Sequence, residues 1–155
     1  MTAGPRNTRP KAVSQRRQSE DDASGSDQKR LHYEALSAVK GDWKAVARTP
    51  AKDIAASDYE IALAAVMQCG AALRYLGPEL VADRSIAAAA VSCNGLALRY
   101  VAEELRRDWQ IVMTAVSNCG IALQYAVSQL RDDRDIVLAA VSRSGHALKY
   151  ASQRL

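Results

Sequence analysis

From residue 56 to residue 155 the chain repeats itself every 25 residues without slippage. Asp58, Asp83, Asp108 and Asp133 open the units, and Leu80, Leu105, Leu130 and Leu155 close them. Between them recur the Ile61, Ala65, Val66, Gly70, Ala72, Leu73 and Tyr75 series, so that nine of 25 positions are identical in all four units. The marks persist as Gly95, Gly120 and Gly145 and as Tyr100, Tyr125 and Tyr150. A fixed period of this length belongs to arrays in which one supersecondary unit cannot bury its apolar face alone and stacks on its neighbours.

Each unit reads as a helix pair. Asp58 is a suitable N-cap, because its carboxylate accepts from the orphan N–H groups of the first turn and sits at the positive end of the dipole. The run Ile61-Ala62-Leu63-Ala64-Ala65-Val66 is apolar nearly all round, which predicts packing on more than one side. Gly70 is expected to end this helix in the left-handed conformation. Ala71 to Leu76 then makes a second, shorter helix. Isolated helices below ~12–15 residues are marginal, so each needs its neighbours. The expected fold is an all-α solenoid of four 25-residue two-helix repeats. On this view Gly95→Ala costs about 1 kcal/mol through the left-handed penalty, and Ala115→Leu overpacks a tight interface.

Residues 31–55 read as a degenerate N-terminal capping repeat. Leu36-Ser37-Ala38-Val39 echoes Leu63-Ala64-Ala65-Val66, and Trp43 stands where the glycine would be. Terminal units must be atypical because one face meets water. No atypical unit follows unit four, which invites self-association through the uncapped C-terminal repeat.

Residues 1–30 are expected to form a disordered basic, Ser-rich tail. They hold seven Lys/Arg against four acids and almost no large apolar residue. Ser19 follows Arg16-Arg17 and precedes Glu20-Asp21-Asp22, which fits both basophilic and acid-directed kinase patterns. The chain's net charge of +4 therefore comes mostly from the tail, and the remainder has 14 basic and 13 acidic residues. A nearly neutral folded part is a poor electrostatic footprint for nucleic acid.

The three cysteines lack CxxC spacing, and only His32 and His146 could join them, so no zinc set is expected. Cys69 and Cys119 occupy the same position two units apart, roughly 20 Å at helix-packing distances, too far for a disulfide. Free thiols suit a reducing compartment, with the cytoplasm favoured. No apolar run is long enough for a membrane span.

The unit Asp-x-x-Ile-Val-Leu-Ala-Ala-Val-x-x-x-Gly-x-Ala-Leu-x-Tyr-Ala-Ser, at Asp133 to Ser152, resembles the repeat family catalogued as domain of unknown function 4116. The resemblance covers residues 56–155 well and 31–55 loosely. It implies arrays of short helical repeats, and no activity, cofactor or site residue comes with it.

No catalytic constellation, metal site or cofactor site can be assembled from the residues. Four caps in a row account for the Asp series, with Arg84, Arg134, Tyr59 and Trp109 beside it. The Tyr75 series forms a ladder flanked by Arg74, Arg99, Gln124 and Lys149, the candidate partner-binding row. Positions 60, 68, 71, 74, 78 and 79 vary between units and suit a recognition face. The leading expectation is a non-catalytic scaffold that binds an as yet unidentified protein or peptide. Single-stranded nucleic acid, stacked on the Tyr row and paired by the cations, is the alternative. A fragment of a longer array without independent function is a third.

Overall fold

The computed structural model describes the backbone of residues 12–48 and 58–152, with side chains from residue 27 onward. Among the described residues all regular structure is helical. The chain divides at Glu34 into two units. In the first, helix α1 (Ala12–Gly41) is already formed, and it continues into the second. The expectation of a disordered tail over residues 1–30 is thus corrected for residues 12–30. No proline interrupts that stretch, and it is rich in the straight-chain residues that lose little rotamer freedom in a helix. Arg30 Nε meets Glu34 Oε1 at 2.9 Å one turn on. Residues 1–11 lie outside the described residues.

The second unit begins with the end of α1, where Ala35, Leu36 and Val39 are buried at i, i+1 and i+4 spacing. A short 3₁₀ helix, η1 (Trp43–Ala47), follows, capped by Asp42, which accepts from the Lys44 N–H. Ala45 and Val46 are buried. Residues 49–55 of the expected leading repeat are outside the described residues.

Four matched pairs come next. The α-helices are α2 (Tyr59–Gln68), α3 (Arg84–Cys93), α4 (Trp109–Asn118) and α5 (Arg134–Arg143). Each starts at its Asp as expected: Asp58, Asp83, Asp108 and Asp133 all adopt extended backbone and accept from two N–H groups of the first turn. The second element of each pair is a 3₁₀ helix: η2 (Gly70–Tyr75), η3 (Gly95–Tyr100), η4 (Gly120–Tyr125) and η5 (Gly145–Tyr150). With three residues per turn, positions 71 and 74 eclipse on one line and 72 and 75 on another. Ala72 and Leu73 are fully buried, which leaves the 71/74 line outward.

Each α-helix packs on the next, and each 3₁₀ helix on the next 3₁₀ helix. One core runs through them, built from Ile61, Ile86, Ile111 and Ile136, from Val66, Val91 and Val116, and from Leu73, Leu98 and Leu123, with alanine between. Backbone hydrogen bonds tie consecutive units at the same period. The Ala102, Val127 and Ser152 N–H groups donate to the Val81, Arg106 and Arg131 carbonyls.

The glycines do a different job from the expected one. None of Gly70, Gly95, Gly120 and Gly145 has a positive φ, and each helix ends instead on the extended residue before it, Cys69, Asn94, Cys119 or Ser144. At Gly70, Gly95 and Gly120 a Cβ would collide with the carbonyl oxygen of Ala90, Ala115 or Ala140 in the next unit. Glycine is needed there for close backbone approach, not for a left-handed turn. The cysteines Cys69, Cys93 and Cys119 are free, as the spacing requires.

Candidate interaction surfaces

Three surfaces run along the array, and they differ in chemistry. The first is the edge of helix starts. Here Tyr59, Arg84, Trp109 and Arg134 alternate aromatic and cationic from unit to unit. Arg84 reaches across to the next cap, with Nε 3.1 Å and Nη2 3.1 Å from Asp108 Oδ2. Partial burial of Asp108 acts to raise its pKa. Hydrogen bonds from the Ile111 N–H, Arg84 and the Gln110 N–H, with the Arg84 charge, outweigh burial and hold it below the ordinary value. This edge caps the helices, and at Arg84–Asp108 it also clamps unit two to unit three.

The second surface is the outward 3₁₀ line, which carries the candidate row. Arg74, Arg99 and Lys149 are exposed, and Gln124 is half-buried. Each cation lies over the ring of the tyrosine that follows it, at 4.8 Å for Arg74 on Tyr75, 4.8 Å for Arg99 on Tyr100 and 4.7 Å for Lys149 on Tyr150. The four tyrosines are half-buried against the core. Tyr75 also meets Trp43, with centroids 6.5 Å apart. None of the three cations has a carboxylate within ion-pair distance among the described residues. The structure therefore brings the row together as one cation–tyrosine pair per unit, broken at Gln124. One face of each of the Tyr75, Tyr100 and Tyr150 rings is already covered by the protein's own cation.

The third surface is the outer side of the α-helices. Ile61, Ala62, Ala65 and Val66 face inward, so positions 60, 63, 64 and 67 face out. As expected, each internal α-helix packs on more than one side, against the preceding and following α-helices and against two 3₁₀ helices, and one side is left outward. Met67 is 67% exposed and Leu138 56%, while Leu63, Ala88, Ala89 and Met113 are half-buried at the surface. Among these outward positions only Glu60 and Asp135 are charged. Two hydroxyls here bond their own helix, Thr114 Oγ1 donating to the Gln110 carbonyl and Ser142 Oγ to the Ala139 carbonyl, both at 2.8 Å, while Ser85, Ser92 and Ser117 stand exposed on the same face. Tyr59 and Trp109, each nearly half exposed, flank the face.

The model of the family described as Domain of unknown function (DUF4116) matches residues 58–106, 83–126 and 108–155, most of the chain. The chain belongs to that family. No curated protein and no solved structure matches it.

Within the DUF4116 array, one row of variable positions proves structural. Gln68 Nε2 donates to the Val39 carbonyl at 2.7 Å, and Asn118 Nδ2 to the Ser92 carbonyl at 2.8 Å. Arg143 Nη2 reaches the Asn118 carbonyl at 3.4 Å. These side chains cap the helix C-terminus of the preceding unit, which leaves four carbonyls orphaned. Ser19 lies on α1, its side chain outside the described residues, and Leu155 lies outside them too. Among the described residues no group of three or more His, Cys, Asp or Glu side chains is arranged to hold a metal, and no helix is long and apolar enough to cross a membrane. The outward α face was missed because an apolar run predicts packing on more than one side without saying which side stays open. The available signal was Met67 and Met113, long flexible side chains at positions just outside the buried stripe.

Proposed function

We propose that the chain is a non-catalytic helical-repeat module, an α-solenoid of four units, that binds a protein or peptide along the outward face of its α-helices. The observation that carries this reading is the nearly uncharged run from exposed Met67 through half-buried Ala88, Ala89 and Met113 to exposed Leu138. Contiguous exposed apolar surface rimmed by aromatics is characteristic of protein interaction sites. Adaptable methionines suit a partner's apolar side chains. The mechanism is surface complementarity, without a chemical step.

Single-stranded nucleic acid is the second reading. It draws support from Arg74, Arg99 and Lys149, exposed cations with no carboxylate within ion-pair distance among the described residues, whose charge suits phosphates. The half-buried, cation-covered tyrosines speak against base stacking, which supplies much of such binding. The test is photo-crosslinking in native lysate from groups placed at positions 67, 113 and 99, with and without nuclease. The proposal expects a discrete protein adduct from 67 and 113 that survives nuclease. Adducts from 99 alone that vanish with nuclease overturn it.

A further inference from the structure

On the outward 3₁₀ line, residues three apart eclipse, so each unit shows a pair: Ala71 with Arg74, Leu96 with Arg99, Ile121 with Gln124, His146 with Lys149. Along the array these pairs make two parallel rows. One is apolar, through Ala71, Leu96 and Ile121, and one is cationic, through Arg74, Arg99 and Lys149. Each cation is held in the same place, 4.8, 4.8 and 4.7 Å from the centre of the tyrosine ring that follows it. None has a carboxylate within ion-pair distance among the described residues. The 3₁₀ helices of Arg74 and Arg99 have neighbours on both sides, so the exposure of these two side chains belongs to the ridge itself.

We infer that this ridge is a docking track for an extended acidic segment of a partner protein, a polyproline-II stretch with a carboxylate at every third residue. Stacked helices lie about 8–10 Å apart, so the cation position recurs at about that spacing. A polyproline II chain turns once in three residues and rises about 9 Å in doing so, which brings every third side chain to one face at the period of the array. A β-strand sends residues i and i+3 to opposite faces and loses the match. Gln124, in the third place, offers an amide donor where the other units offer a charge. The apolar row and the tyrosine rings suit prolines, as aromatic-lined grooves do in the recognition of such segments. The ring contacts fix the cations before the partner arrives, which lowers the ordering cost of binding. Charge favours a peptide over a nucleic acid. The loops after the first two 3₁₀ helices carry exposed Glu79, Glu103 and Glu104, so the positive strip is narrow. A segment charged on one face fits it, whereas a strand with a phosphate at every nucleotide also meets those carboxylates. The ridge belongs to the 3₁₀ layer and not to the outward α face, so either reading can fail without the other.

The probe is a labelled peptide of four Glu-Pro-Pro repeats, titrated with the full chain by fluorescence anisotropy. Saturable binding that Arg74→Gln with Arg99→Gln weakens at least about tenfold is the expected result, a change of about 1.4 kcal/mol. Both side chains are exposed, and circular dichroism verifies the fold of the double variant. Arg30→Gln with Arg134→Gln removes the same charge elsewhere. At about 0.15 M salt, where charges more than ~8 Å apart are largely screened, that pair should leave the affinity unchanged. No binding up to about 1 mM peptide, the weak end of specific affinity, overturns the inference. So does binding that the Arg74 and Arg99 changes leave intact, or that both double variants weaken equally. A peptide of the same composition with its glutamates in one block tests the spacing, and equally tight binding of it overturns the inference too. Oligothymidylate that binds more tightly than the peptide, and is lost with Arg74 and Arg99, would give the ridge to nucleic acid and overturn the assignment as well.

Discussion

Units three and four carry the same nine invariant residues, yet the same residue types live in opposite surroundings. Leu123 is fully buried and Leu148 mostly exposed; Gly120 is pressed beneath the Ala140 carbonyl and Gly145 is open. The difference is the neighbour. In a stacked array a residue's contribution belongs to the junction it faces, not to the unit that contains it. The comparison breaks most readily with leucine. Leu123→Ala should cost about 2–5 kcal/mol, the range for emptying a tight core site. Leu148→Ala should stay within about 0.5 kcal/mol, as surface substitutions do. Urea unfolding of both variants measures the gap, and equal losses would show that unit four is already covered.

The glycines give the next largest contrast. Gly95→Ala must push a methyl group into the Ala115 carbonyl, with Cys119 Cβ and N also only 3.0 Å away. Overpacking of this kind costs about 1–3 kcal/mol and occasionally more. That exceeds the cost expected from a left-handed turn, and its cause is a neighbouring unit. Gly145→Ala meets no atom and needs no unusual φ. It should stabilise by about 0.4–1 kcal/mol by narrowing the unfolded ensemble. Ala115→Leu belongs with the first variant, because Ala115 is fully buried at a junction, and about 1–3 kcal/mol is expected by thermal melting.

How much of this was legible follows from what is local. The Asp caps were readable because a cap acts within three residues, and all four form as the sequence requires. The buried Ile, Ala, Val and Leu set was readable because the period repeats it. The role of glycine was not. Its constraint is a carbonyl twenty residues ahead, and the sequence around Gly70 resembles an ordinary helix end. The 3₁₀ geometry of Gly70–Tyr75 was hidden for a related reason, since six residues between an extended residue and the next loop do not fix a period. Position 68 misled in a third way. Gln68, Asn118 and Arg143 look like recognition variety, yet side chains of different reach cap the same preceding helix. The outward α face escaped because an apolar stripe does not reveal whether a partner element exists for it.

Position 68 also offers a smaller test between units two and three. Asn118→Ala removes one side chain that serves both the Ser92 carbonyl and the Gly95 N–H. At this exposed position about 1 kcal/mol is expected. Cys93 occupies the same place in unit two with no such bond, so Cys93→Ala should be close to neutral. Paired urea melts decide it, and equal effects would mean that the carbonyl caps contribute nothing to the junction.

The smallest effect concerns the acidity of unit three's cap. Asp108 is held below the ordinary aspartate value of ~3.9. Its carboxylate is favoured in the folded chain, so its contribution is complete above the unfolded value and is lost as pH falls through the lower folded one. The stability lost between about pH 5 and pH 2 should therefore include a share from this group. Arg84→Gln removes one hydrogen-bonding partner and its charge while leaving the Ile111 and Gln110 N–H groups in place. The Asp108 carboxyl resonance should then titrate at higher pH, and stability at pH 7 should fall by less than about 1 kcal/mol, because the Arg84 side chain is 60% exposed and such pairs are screened. An unchanged titration would assign the whole depression to the backbone N–H groups. Asp108 would then be a helix cap like the other three, and the Arg84 bridge between units would be geometry without energetic weight.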